Sequence, residues 1–287
     1  MPEGRTIEFS GRAPLLAAML LLAGCSSGVL LSGAPEGESS IAELSSANLA
    51  SLSDVVTRNP DDPQAYNMRG SVYGQMRQFK EALEDFNRAI ALDPKFAQAY
   101  ANRGLVHRQL NNLDPALADY DRALAIDPNY AAAYLGRGMV RRQRGQLVPA
   151  LNDFNKTIVI RPDNAQAYYN RGLLYQSQRQ HQFAIDDFST AVALNTQEAE
   201  PLIARGLSYL AVNDAKSAAG DLDQAVQLEP LSVPGWTARG LAYERLRNPE
   251  RSAGSYARAL NLKKDHTPAR EGFVRVGGQW GKQYQTF

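Results

Sequence analysis

Residues 165–198 read AQAYYNRGLLYQSQRQHQFAIDDFSTAVALNTQE, and the 34 residues before them, 131–164, read AAAYLGRGMVRRQRGQLVPALNDFNKTIVIRPDN. Laid over one another, the two stretches share alanine at places 3 and 20, tyrosine at 4, Arg-Gly at 7 and 8, and Asp-Phe at 23 and 24. The register extends in both directions without an insertion, from Pro63 to His266, as six units: 63–96, 97–130, 131–164, 165–198, 199–232 and 233–266. Place 8 is always glycine (Gly70, Gly104, Gly138, Gly172, Gly206, Gly240) and place 7 always arginine (Arg69, Arg103, Arg137, Arg171, Arg205, Arg239). Place 24 is Phe, Tyr or Leu throughout. Self-similarity at a fixed period of this length means stacked structural repeats, each burying its apolar face on its neighbours.

The spacing inside a unit defines the repeat. Tyr168, Gly172 and Tyr175 are one helical turn apart and share a face of one helix; Ala184, Phe188 and Ala191 do so on a second. Glycine at place 8 and alanine at place 20 let the two helices approach closely, with aromatics at places 4 and 24 filling the surrounding space. Proline at place 32 (Pro94, Pro128, Pro162, Pro230) ends the second helix. These residues resemble the tetratricopeptide repeat over all six units. The expected fold is all-α: a right-handed α-solenoid of six helix-turn-helix repeats with a capping helix at each end. Residues 41–62 form the first cap, and residues 267–287 form the second cap and a tail, with Thr267 capping its helix and Pro268 at the first position. Unit four ends Asn195-Thr196 without the proline, so its second helix is expected to run on towards Pro201.

Charge and composition exclude several functions. Lys plus Arg is 31 against 30 for Asp plus Glu, which disfavours nucleic acid as a partner. The three histidines, His107, His181 and His266, have no ligand spacing, and the sequence contains no phosphate loop, nucleophile–base set or metal cluster. No cofactor and no enzymatic activity are expected.

The first residues read as an address. Arg5 and Arg12 precede an apolar run, Ala13 to Gly24, too short to span a bilayer and suited to a signal-peptide core. It ends Leu22-Ala23-Gly24-Cys25, with the only cysteine of the chain, and resembles the lipobox of bacterial lipoproteins. That resemblance implies removal of residues 1–24, lipid on Cys25, and outer-membrane sorting through Ser26. Residues 25–40, rich in Ser and Gly, read as a flexible tether.

Two arrangements of side chains carry further expectations. The place 7 arginines fall on a seam between buried faces, where an unpaired guanidinium would cost roughly several kcal/mol. Aspartate at place 23 (Asp85, Asp119, Asp153, Asp187, Asp221) predicts a ladder of Arg–Asp bridges between helices, broken at Ser255. Arg108, Arg141, Arg142 and Arg144 form a basic cluster, either a solvated face or a dock for an acidic segment. The second arrangement is an apolar stripe. Places 2, 5, 9 and 12 of the first helices, which in tetratricopeptide proteins line the concave groove, carry Leu105, Leu135, Met139, Tyr169, Leu173, Ile203, Leu207, Leu210 and Leu241. Arg108, Arg142, Gln98, Gln166 and Gln176 flank them. An apolar strip with a polar rim marks an interaction surface, filled by a partner segment or by the aromatic tail or a second copy of the chain.

The resemblance therefore implies a periplasmic scaffold or adaptor. It would hold other periplasmic or outer-membrane proteins in its groove and be fixed to the membrane through Cys25. A pilotin-like assembly factor for a secretin or pilus is the alternative, and the adaptor's partner and oligomeric state stay open.

Overall fold

The computed structural model describes residues 48–284; the stretches read above as signal peptide and tether, with Cys25, lie outside them. Among the described residues the secondary structure is helical. Residues 48–58 form α1. The six units follow as helix pairs: α2 (Pro63–Gln75) with α3 (Phe79–Leu92), α4 (Ala97–Gln109) with α5 (Leu113–Ile126), and α6 (Ala131–Gln143) with α7 (Leu147–Ile160). Then come α8 (Ala165–Ser177) with α9 (His181–Leu194), α10 (Ala199–Ala211) with α11 (Ala215–Leu228), α12 (Val233–Arg245) with α13 (Pro249–Leu262), and finally α14 (Thr267–Arg275). From α2 to α14 each helix packs on its chain neighbours, and the even-numbered helices also touch one another from repeat to repeat. The odd-numbered helices α3 to α13 make no such contact with each other. The even helices therefore crowd the inner face of the solenoid.

Close packing within each unit follows from places 8, 20 and 24. A methyl added at Gly172 would stand 2.6 Å from Phe188 Cε1, and one at Gly138 would stand 2.7 Å from the same atom of Phe154. The place 20 alanines are wholly buried. In unit six Ser252 replaces alanine and donates its hydroxyl to the Gly240 carbonyl at 2.8 Å. The turn between the two helices is a Schellman motif: Gln78 N–H bonds the Tyr73 carbonyl at 2.9 Å, and Arg77 N–H the Gly74 carbonyl. It needs a left-handed residue, supplied by Arg77, Asn111, Gly145, Arg179, Asn213 and Arg247. Only one of these is glycine, so composition hides the motif.

Helix α9 does not run on. It stops at Leu194 like its counterparts, because Asn195 takes an extended conformation and its side chain accepts from Gln197 N–H at 3.2 Å. Asp93 and Asp127 make the same turn with Lys95 and Asn129. In units one, two and four a short polar side chain at place 31 thus closes the turn after the helix, with proline following only in the first two. The cap of α14 differs as well. His266, not Thr267, is the N-cap residue, and no side chain caps the helix. The tail folds back there: Trp280 and Tyr284 pack on Phe273, with ring centroids 4.6 and 5.9 Å away.

The Arg–Asp ladder is present and extends across repeats. In units one to five each place 7 arginine grips its own repeat's place 23 aspartate with Nε and Nη2, at 2.6 to 3.1 Å. From unit two onward Nη1 also donates to place 25 of the preceding repeat, namely Asn87, Asp121, Asn155 and Ser189. The place 4 ring of the same helix lies under the guanidinium in five units, 5.4 to 5.7 Å away. Where Ser255 replaces the aspartate, Arg239 turns to Asp223 of the unit before, at 2.6 Å, and keeps Ser255 as a neutral partner. One side chain per unit therefore ties three helices together. The aspartate hydrogen bonds hold Arg69, Arg103, Arg171 and Arg205 above the ordinary guanidinium pKa, against the opposing pull of burial.

Candidate protein-binding groove

Along the inner face three hollows succeed one another. The first lies between α2 and α4, where Ser71, Gly74, Phe86, Gln98 and Leu105 give it an uncharged wall of mixed polar and apolar side chains. The second, of about 270 Å³, lies between α4 and α6, around Leu105, Arg108, Leu135 and Met139. The third, of about 390 Å³, lies between α8 and α10, around Tyr169, Leu173, Ile203 and Leu207. Pockets for whole small ligands run from about 300 to 1,000 Å³. The second falls just below that range and the third at its lower end, and shallow open hollows of this size suit individual side chains of a longer segment.

The stripe read from the sequence is thus largely on this face, and its members differ in exposure. Leu105 and Leu207 are 40% and 41% exposed, as a contact surface requires. Leu135, Met139, Tyr169 and Leu173 are half-buried, packing partly on the cores beneath. Ile203 is buried and shows only an edge to the third hollow. Leu210 is core, and Leu241 packs against the same cluster, outside the three hollows. Places 5 and 12 therefore do not form one solvent face with places 2 and 9: Asn67, at place 5, is 2% exposed and accepts from Asn102 at 2.9 Å. Gln176, expected on the rim, is taken up by the Ala204 carbonyl and the Ser208 hydroxyl.

The basic cluster divides in two. Arg141 bonds Asp153 at 2.8 Å, and Arg144 pairs with Asp114. Arg108 and Arg142 have no carboxylate partner among the described residues, and the Nε–H of each is buried without a hydrogen bond. Burial pushes the Arg142 guanidinium below its ordinary pKa; the Tyr169 hydroxyl opposes this and Arg108 adds to it. Arg142 thus sits electrostatically between the second hollow, which Arg108 lines, and the third, which Tyr169 lines. The far wall of the third carries Glu200 and Glu229, both exposed.

Two wall residues escaped the sequence reading. Tyr120 and Gly136 both line the second hollow, and a Cβ at Gly136 would stand 2.3 Å from Tyr120 Cζ. The signal was there: the only other place 24 tyrosine, Tyr256, faces Gly272 at the corresponding place 6, also at 2.3 Å. Where place 24 is Phe or Leu, the facing residue is Asn102, Asn170, Ala204 or Ala238. Burial pushes the Tyr120 phenol up to about 12.

Comparison with known proteins agrees with this geometry. The sequence matches the family described as tetratricopeptide repeat over residues 67–131, 203–267 and 165–196, and that described as TPR repeat over 138–178. The chain is a tetratricopeptide-repeat protein. No curated protein sequence matches it. Among solved structures, it resembles the anaphase-promoting-complex assembly Cut9–Hcn1, with TM-score 0.73 and 20% identity over 81% of this chain and 46% of that one. It therefore spans less than half of that relative's length. PilF of Pseudomonas aeruginosa matches with TM-score 0.69 and 17% identity, over 76% of this chain and 99% of its own. YrrB, described as a TPR protein with an unusual peptide-binding site, matches with TM-score 0.56 and 25% identity, over 66% of this chain and 97% of its own. The first two likenesses are of fold. Tetratricopeptide proteins serve as protein-interaction scaffolds. Among the described residues no group of His, Cys, Asp and Glu could hold a metal, and no helix is long and apolar enough to cross a membrane.

Proposed function

We propose that this tetratricopeptide protein is a lipid-anchored scaffold of the Gram-negative envelope whose inner groove, over units two to five, holds a segment of another periplasmic or outer-membrane protein. The observation that carries the binding role is the row of exposed or half-exposed apolar side chains, Leu105, Met139, Leu173 and Leu207, set in hollows on the face where the first helices crowd together. Core packing accounts for only part of Met139 and Leu173 and leaves Leu105 and Leu207 exposed, as an interaction surface requires. The anchor rests on Leu22-Ala23-Gly24-Cys25.

Leu173→Glu with Leu207→Glu is expected to abolish partner capture from crosslinked envelopes while helicity and melting temperature stay near wild type. Leu207 faces solvent and Leu173 is only partly packed. Undiminished capture would place the binding surface elsewhere; a collapse in melting temperature would make these leucines core. A secretin or pilus subunit as the captured protein would turn the reading from adaptor to pilotin. For the anchor, metabolic labelling with a fatty-acid analogue should mark the wild type and leave Cys25→Ser unlabelled. If Cys25→Ser partitions with membranes as tightly as wild type, the protein is not a lipoprotein.

A further inference from the structure

The groove is not uniform in charge, and its polarity is ordered along the repeats. Its middle carries two cations without counter-ions. Arg108 and Arg142 keep buried, unbonded Nε–H groups, although Arg141 and Arg144 beside them each found an aspartate. Leaving a guanidinium N–H buried and unbonded is costly, and the like charge of Arg108 adds to the cost at Arg142. Both side chains are otherwise only half-buried, and a carboxylate at their exposed edges would neutralise them. Beyond Arg142 the wall becomes apolar at Tyr169, Leu173 and Leu207, and then acidic at Glu200 and Glu229, neither of which is in an ion pair among the described residues. Tyr169 marks the boundary. Burial raises the pKa of its hydroxyl, Glu200 raises it further, and Arg142 opposes them. The tail does not contribute here, since Trp280 and Tyr284 pack on Phe273 at the other end of the repeats.

Building on the groove reading above, we propose that the occupant is a charge-ordered segment. An aspartate or glutamate sits against Arg108 and Arg142, apolar side chains follow into the hollow between α8 and α10, and a lysine or arginine lies against Glu200 and Glu229. Long-range complementarity of this kind sets register and excludes wrongly ordered segments more than it adds affinity.

The test uses the full chain and labelled synthetic peptides in fluorescence anisotropy at low salt. One peptide carries a pair of aspartates, then leucines, then a pair of lysines; a second has the aspartates replaced by lysines; a third has the lysines replaced by aspartates. The first should bind roughly tenfold more tightly than either of the others, the scale of one partly desolvated charge contact. Arg142→Glu should remove the discrimination against the second peptide, and Arg142→Gln should do so in part if the glutamate variant folds poorly. Glu200→Lys with Glu229→Lys should admit the third. Equal binding of all three peptides, lost in Leu173→Glu with Leu207→Glu, would overturn the charge order and leave the groove reading intact. Persistence of the preferences in the charge variants, or no binding of any peptide, would also overturn the charge order.

Discussion

Replacing Asp187 with alanine is expected to destabilise the protein by about 3 to 5 kcal/mol, the cost of breaking a buried ion pair from one side. Asp187 is 7% exposed at its side chain and holds Arg171 through two hydrogen bonds of 2.7 and 2.8 Å. Its loss leaves Arg171 with Asn155 alone, a neutral partner. The Arg171 side chain is 21% exposed, so water screens the stranded charge only in part. Asp121 provides the contrast. It bonds Arg137 at 2.7 Å but is 55% exposed, and Arg137 keeps Asp153 when it is removed, so Asp121→Ala should cost less than about 1 kcal/mol. Arg171→Leu with Asp187→Leu should recover much of the loss, since it removes the stranded charge. Denaturation curves of the full chain measure all three, with hydrogen exchange in α8 and α9 locating the damage; a repeat array need not unfold in one step. If Asp187→Ala and Asp121→Ala come out alike, the ladder adds little to stability.

Two glycines that look alike in the sequence should respond in opposite ways to alanine. Gly136→Ala should destabilise by about 1 to 3 kcal/mol through overpacking, net of the helix propensity gained. The added methyl would stand 2.3 Å from Cζ and 2.6 Å from the hydroxyl of Tyr120, a ring that is 2% exposed and cannot swing away. At Gly220, inside α11, nothing lies within 4 Å of the same methyl, so Gly220→Ala should stabilise by roughly 0.5 to 1 kcal/mol. A double-mutant cycle ties the first effect to its cause. Tyr120→Leu with Gly136→Ala recreates the Leu222 and Ala238 combination that units five and six already use. The pair should therefore cost less than the sum of the single changes. Additive costs would show that Tyr120 is not what keeps Gly136 bare.

The candidate site was legible where the requirement was local. Leu105 and Leu207 could be placed on the inner face because helical spacing sets them on one face of their helices and the tetratricopeptide resemblance makes that face the concave one. Leu210 was not separable from them by spacing. Whether such a residue meets solvent or the next repeat depends on how far each unit is rotated against its neighbour, and residues of α11 and α12 join it in one core cluster. The same limit explains the basic cluster. Four arginines at the ends of two successive first helices look equivalent, yet two meet aspartates on other helices and two do not.

A period of 34 residues with glycine at place 8 is enough to dictate a helical solenoid, because those constraints act within one unit and repeat six times. The pairing of Arg and Asp within a unit could be inferred for the same reason: sixteen residues separate the partners in every unit where both occur. The reach of the same arginine into the preceding repeat and the isolation of Arg108 and Arg142 are different in kind. Each depends on the angle and distance at which one unit settles on the next. That angle is set by the sum of many contacts at the interface, and no single residue type announces it.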